Sequence, residues 1–160
     1  MIDIQIKGQL PNLNADLEPA MGKIVDIMYR SVQENFLAGG RPNQWEPLKP
    51  FSLPSHLMQS GNMFQSIMLR WSGTEAVVFI DTEKVPYAAI HNFGGTIKHP
   101  GSDKFQAFEY GGGMVYTWGT KPHDINIPAR PFMLFQEEDK ASILQILSNA
   151  IFSQTQRRTR

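Results

Sequence analysis

The stretch Pro86 to Gly95, reading PYAAIHNFGG, organises the chain. Pro86 presets the dihedral of a first helical position, and Gly94 and Gly95 can adopt the left-handed conformation that ends a helix. Between them lies room for about two turns. At helical spacing Tyr87, Ile90 and His91 share a face, and the small Ala88 and Ala89 turn elsewhere, where another backbone could approach. A helix this short has no stability of its own in water and must be held by packing. Its two glycines and its histidine make it a candidate either for a site or for a contact with another subunit.

On the N-terminal side of this helix, EAVVFID over 75–81 is short, nearly continuously apolar and rich in branched residues, the mark of a central strand. Before it, Ser60 or Asn62 is expected to cap a short helix carrying Met63, Phe64 and Ile67 and ending near Trp71 and Gly73. The segment 41–63 carries four prolines, so it reads as an irregular connection pinned to the core by Trp45 and Leu48. From about Asn14 to Leu37 the residues Leu17, Met21, Ile24, Ile27, Met28 and Phe36 recur at three and four, predicting a long amphipathic helix closed by Gly39 and Gly40. Ile2, Ile4 and Ile6 alternate with polar residues as in a half-buried strand.

On the C-terminal side, Phe105–Tyr110 and Met114–Trp118 flank Gly111, Gly112 and Gly113, predicting a hairpin. Its aromatics Phe105, Phe108, Tyr110, Tyr116 and Trp118 exceed what a two-stranded ribbon can bury, so one face should meet the domain or a neighbouring subunit. INIPARPF follows, stiffened by Pro128 and Pro131, which aim Arg130; a surface arginine and an interface arginine are equally open here. A last helix is expected from about Phe135 to Phe152, with the stripe Ile143, Leu144, Leu147 and Ile151. Strands and helices mix without a βαβ rhythm. The expectation is one α+β domain over 1–153, a mixed or antiparallel sheet with a β-hairpin packed against a long N-terminal helix and a C-terminal helix, followed by a basic, flexible tail over 154–160.

Composition narrows the chemistry. Fifteen Lys and Arg offset fifteen Asp and Glu over 160 residues, which leaves no general footprint for nucleic acid or anionic membrane. The absence of cysteine excludes disulfides and thiolate chemistry. No apolar run is long enough for a membrane span, and MIDIQIKG alternates where a signal peptide would be continuously apolar, so the expected setting is the cytoplasm. The histidines His56, His91, His99 and His123 show no HExxH spacing, and no GxSxG elbow surrounds any serine. His91 reads as a core histidine satisfied through both ring nitrogens, with a general base as the sharper alternative. Gly111–Gly113 matches neither a P-loop nor a dinucleotide fingerprint.

Several separated motifs agree on a family. The N-terminal strand, the long helix, Trp45 with Leu48, LMQSGNMFQSI, VPYAAIHNFGG and IPARPF occur in the order that resembles the phage virion morphogenesis family, the tail completion and head-tail joining proteins of Mu-like and P2-like phages. The resemblance covers about Ile2 to Phe152 and rests most on Tyr87, Ala88, His91, Phe93, Gly94 and Gly95, followed by Pro128, Ala129, Arg130, Pro131 and Phe132. Together with Trp45, these are the expected structural or interface residues. The resemblance implies a non-catalytic structural protein of the virion, assembled in the host cytoplasm. Its implied partners are its own copies in a ring, as in a tail terminator, and tail tube or head-tail connector proteins, with no cofactor and no small-molecule substrate. The connection from Trp45 to Ser60 departs from the family in being short and poor in basic residues. Two alternatives stand beside this reading: a metal-dependent hydrolase using His91, His99, His123 and Asp124, and a DNA-contacting connector using Arg157, Arg158 and Arg160.

Overall fold

The computed structural model describes residues 2–7, 16–46, 57–58, 60–110 and 112–158. Leu48 and most of the Trp45 to Ser60 connection lie outside these residues. The first layer is a three-stranded antiparallel sheet of β1 (Ile2–Lys7), β2 (Ile67–Ser72) and β3 (Glu75–Ile80), in the order β1-β3-β2. The central strand β3 buries Ala76, Val77, Val78 and Ile80 completely, which is why its sequence is apolar at consecutive positions rather than alternating. β1 pairs with it from Ile2 opposite Ile80 to Lys7 opposite Glu75.

The sheet corrects the reading of residues 60–73. Only α2 (Asn62–Gln65) is helical there, and from Ile67 the chain is the strand β2, not a continuing helix. Gly73 and Thr74 form a two-residue turn that sets Ser72 against Glu75 and aligns β2 along the whole of β3. Pairing with β3 buries Ile67 and supplies a full ladder of backbone bonds, which a two-turn helix could not match.

Across this sheet lies α1 (Glu18–Ala38), with Met21, Ile24, Val25, Met28, Val32 and Phe36 buried on one stripe. Gly39 closes it at φ 69° and its N–H bonds back into the last turn. Trp45 is buried with its ring edge-on to Phe36 at 6.2 Å, so the expected pin is present. The last helix, here α4 (Glu137–Arg158), packs on α1. Its buried stripe is Ile143 with Ile146 and Leu147, whereas Leu144 is 64% exposed and does not belong to it. α4 also continues beyond Phe152 into the basic segment expected to be a tail.

Between β3 and α4 the chain forms the short helix α3 (Ala88–Phe93) and then leaves the body as two nested antiparallel ribbons. β4 (Gly95–His99) pairs with β7 (His123–Ile127), and inside that pair β5 (Ser102–Tyr110) and β6 (Gly113–Thr120) form the predicted hairpin. Residues 95–127 are therefore one arm that goes out and comes back. The pairing of β4 with β7 was not anticipated from sequence, because both strands are only five residues long and their few apolar residues, Ile97, Ile125 and Ile127, are too sparse to mark a buried face.

Candidate functional site

The arm begins and ends at a single clasp, and that clasp is built from the two most distinctive stretches of the sequence. The backbone N–H of Arg130 donates to the carbonyl of His91 at 2.8 Å, satisfying one of the free carbonyls at the C-terminal end of α3. Asn92 Oδ1 accepts from the N–H groups of both Phe132 and Met133 at 3.1 Å. Gly94 stands against the returning strand so closely that a Cβ there would lie 2.8 Å from Ala129 N and 3.1 Å from Ile127 O. Its dihedrals, φ 73° and ψ 175°, belong to a region open essentially to glycine alone.

From the opposite side, Asn35 of α1 reaches the same segment. Its Nδ2 donates to the carbonyls of Phe132 at 2.9 Å and Leu134 at 2.8 Å, and its Oδ1 accepts from Arg41 Nε at 3.0 Å and Gln136 Nε2 at 3.3 Å. Arg41 also pairs with Glu34 at 2.6 Å and donates to Ser31, whose hydroxyl is hydrogen-bonded to Asp139. Asp139 in turn accepts from the N–H of Gln136 at 2.9 Å, in the manner of the carboxylate half of a capping box at the start of α4. Phe132 is held completely buried between these anchors, its ring 4.8 Å from that of Phe36.

The buried face of α3 is not the one expected. Ala88 and Asn92 turn inward, one helical turn apart, and Tyr87 is 39% exposed. Phe93, expected as a structural or interface residue, is 68% exposed and is not part of the core. The Tyr87 ring meets that of His91 edge to face at 6.0 Å, and the hydrogen bond between the two residues runs from the His91 backbone N–H to the Tyr87 carbonyl at 3.2 Å. His91 is not satisfied through both ring nitrogens, because its Nδ1 is buried without a partner. Burial, and secondarily the Arg130 guanidinium, hold the imidazole below its ordinary pKa, so it favours the neutral form. Arg130 is 5% exposed, which rules out a surface arginine, and its Nε is buried without a hydrogen bond. Among the described residues no carboxylate pairs with it.

The residues gathered for metal chemistry are not brought together. His99 and His123 face each other across β4 and β7 with rings stacked at 4.9 Å, but each uses Nδ1 locally, His99 accepting from Gly101 N–H and His123 bonding the Lys121 carbonyl. Asp124 sits opposite Lys98. Among the described residues no group of three His, Cys, Asp or Glu could hold a metal ion.

The hairpin leaves apolar surface uncovered. Met114 is 54% exposed, Tyr116 63% and Phe105 49%, and the last two stack with centroids 5.9 Å apart. β5 and β6 pack mainly on each other. The side chains of Phe108, Tyr110 and Trp118 lie outside the described residues; their backbones place them opposite Val115, Gly113 and Phe105. No helix among the described residues is long and apolar enough to cross a membrane.

Sequence reasoning missed Asn35 and Asn92. Each carries a signal in hindsight: Asn35 falls in phase with Met21, Ile24, Met28 and Val32 on the buried stripe of α1, and Asn92 lies one turn after the buried Ala88. A polar residue in phase with a buried stripe must have a partner.

The chain is thus an α+β body carrying a clasped two-ribbon arm. Residues 5–151 match the phage virion morphogenesis family, and the chain belongs to it. Membership implies a structural, non-enzymatic role in building a phage or prophage virion. The chain is also similar to Mu-like prophage FluMu G protein 2 of Haemophilus influenzae, 31% identical over 154 residues that cover 91% of this chain and 92% of that protein. No solved structure matches the chain.

Proposed function

We propose that this protein acts in tail completion or head-tail joining, through protein-protein contacts, and that it works as a homo-oligomeric ring whose copies are joined by the arm 95–127. The observation that carries this reading is the exposed apolar face of the hairpin around Met114 and Tyr116, on an element that packs mainly on itself. Monomeric proteins seldom display such a contiguous patch, whereas interfaces are enriched in aromatic residues and methionine. Met114 and Tyr116 share one face of β6 and the exposed Val115 lies on the other, so the ribbon presents apolar atoms on both of its faces. In this reading the clasp gives the arm a fixed root, so that its direction is set before a neighbour arrives. The outer partners are tail tube or head-tail connector proteins, met in the host cytoplasm during assembly.

Sedimentation velocity tests the self-association. The intact chain should form a discrete oligomer at tens of micromolar, and a chain with residues 102–120 replaced by a short Gly-Ser linker should stay monomeric while retaining its helical circular dichroism. A strict monomer at millimolar concentration would overturn the ring.

A further inference from the structure

We propose that His99 and His123 latch a joint in the middle of the arm, and that acid opens it by protonating His99, which frees the outer hairpin to turn on the clasped ribbon. The ladder of β4 and β7 ends with His99 opposite His123, and that of β5 and β6 begins with Ser102 opposite Thr120. Two links carry the chain across this break, Pro100 with Gly101 on the way out and Lys121 with Pro122 on the return. Neither proline has an N–H to give to a ladder. A Cβ at Gly101 would lie 2.5 Å from the Thr120 carbonyl oxygen and 2.9 Å from Pro122 N, so the links cross at backbone contact and no side chain can brace them there. A histidine ties each link instead. The Gly101 N–H donates to His99 Nδ1 at 3.1 Å, His123 Nδ1 bonds the Lys121 carbonyl at 2.9 Å, and the two rings stack with centroids 4.9 Å apart. Because β5 and β6 pack mainly on each other, little else holds the direction of the hairpin.

The two rings are not equivalent. A backbone N–H can only donate, so His99 Nδ1 holds a lone pair and the neutral ring carries its proton on Nε2. A carbonyl can only accept, so His123 Nδ1 carries a proton. Protonating His123 adds a proton at Nε2 and leaves its bond intact, whereas protonating His99 turns its acceptor into a donor that faces another donor. The Gly101 bond is then lost, and two charged rings in one stack also repel. The latch is therefore closed while His99 is neutral and opens on the acid side of the range in which imidazoles change charge. Charges of both signs flank the rings: Lys98 and Asp124 face each other at the next position of the ladder, and Asp103 and Lys121 line the cleft at the joint. Opening would redirect the face that bears Met114 and Tyr116. That consequence rests on the assembly reading above, while the joint itself does not.

The chain has no cysteine, so spin labels can be placed at Asp26→Cys on α1 and Glu109→Cys on β5, both exposed, and their separation read by pulsed electron paramagnetic resonance. In dilute, monomeric protein the distance distribution should be narrow at about pH 8 and about twofold broader, or displaced, at about pH 5. His99→Asn should keep it narrow at both values, because an asparagine oxygen accepts from the N–H two residues on without titrating. His123→Phe should retain the acid response, since it keeps a ring in the stack and leaves the His99 acceptor in place. A control pair within the body, Asp26→Cys with Glu83→Cys, should stay narrow throughout. A hairpin distance indifferent to pH would overturn the latch, as would an unaltered acid response in His99→Asn or its loss in His123→Phe. Broadening of the control pair in step with the hairpin pair would assign the change to the whole fold and overturn it too. All of these readings are made on single copies, so failure of the latch leaves the ring standing, and a chain that never associates leaves the latch standing.

Discussion

Asn92 Oδ1 accepts a hydrogen bond from the Phe132 N–H at 3.1 Å, joining residues forty positions apart and closing the root of the arm. The same oxygen takes the N–H of Met133, so one side chain satisfies two buried donors. Together with the Asn35 bonds to the carbonyls of Phe132 and Leu134, it gives a non-helical, non-sheet segment the backbone partners that regular structure would otherwise provide.

Replacing Asn92 with Ala therefore strands two buried N–H groups. The expected loss is about 2–6 kcal/mol of unfolding free energy, at the cost of roughly 1–3 kcal/mol for each unsatisfied group. Urea denaturation measures it; a loss below about 0.5 kcal/mol would show that water or a shifted backbone takes the place of the side chain.

Gly94 and Gly112 separate two effects of glycine. Both have positive φ, 73° and 81°, but a Cβ at Gly94 meets backbone atoms of Ala129 and Ile127, while at Gly112 it meets open space. Gly94→Ala should cost about 3 kcal/mol or more, and Gly112→Ala only the backbone strain of about 1–2 kcal/mol. Thermal unfolding of the two variants should rank them in that order.

Tyr116 is 63% exposed and stacks on the half-exposed ring of Phe105. Tyr116→Asp should change unfolding free energy by no more than about 0.5 kcal/mol, the range of ordinary surface substitutions. Self-association should weaken by about tenfold or more, as expected for an aromatic residue central to a contact. Urea denaturation reads the first quantity and light scattering across a concentration series the second, and an unchanged oligomer would remove Tyr116 from the interface.

The lowered His91 pKa has a definite sign. The unfolded chain takes up a proton near the ordinary imidazole value of 6.5, whereas the folded chain resists it until a lower pH, because burial first and Arg130 second disfavour the cation. In that window the unfolded state binds more protons, so the stability His91 contributes is fully present above 6.5 and is lost as pH falls through the folded value. Urea midpoints taken from about pH 7 down to about pH 5 should decline more steeply for the wild type than for His91→Gln. Parallel declines would show that His91 titrates normally.

Local features were legible wherever the chain signals them over a few residues. α1 follows from the three-and-four spacing of Met21, Ile24 and Met28 and from Gly39, and β3 follows from the unbroken run Ala76–Ile80. The hairpin follows from its glycines. Where neighbouring signals compete, the reading fails: Met63 to Trp71 is compatible with a helical face, and only the presence of β3 across the two-residue turn after Ser72 turns Ile67–Ser72 into a strand. Leu144 fails for a related reason, because an apolar residue at helical spacing is buried only if a partner lies on that side, and α1 lies under Ile143 instead.

The amino-acid sequence by itself determined the class of fold, the family, and the fact that PYAAIHNFGG and IPARPF matter, because periodicity, proline and glycine act through bonds and sterics within a few residues. It also placed His91 and Arg130 in those stretches. Only the tertiary structure decided that the two stretches touch, that Asn92 rather than Tyr87 faces inward, and that Arg130 is buried beside His91 with its Nε unanswered. Those outcomes depend on β4 pairing with β7 to return the chain to its starting point, a closure between residues far apart whose free energy comes from contacts that no local window contains.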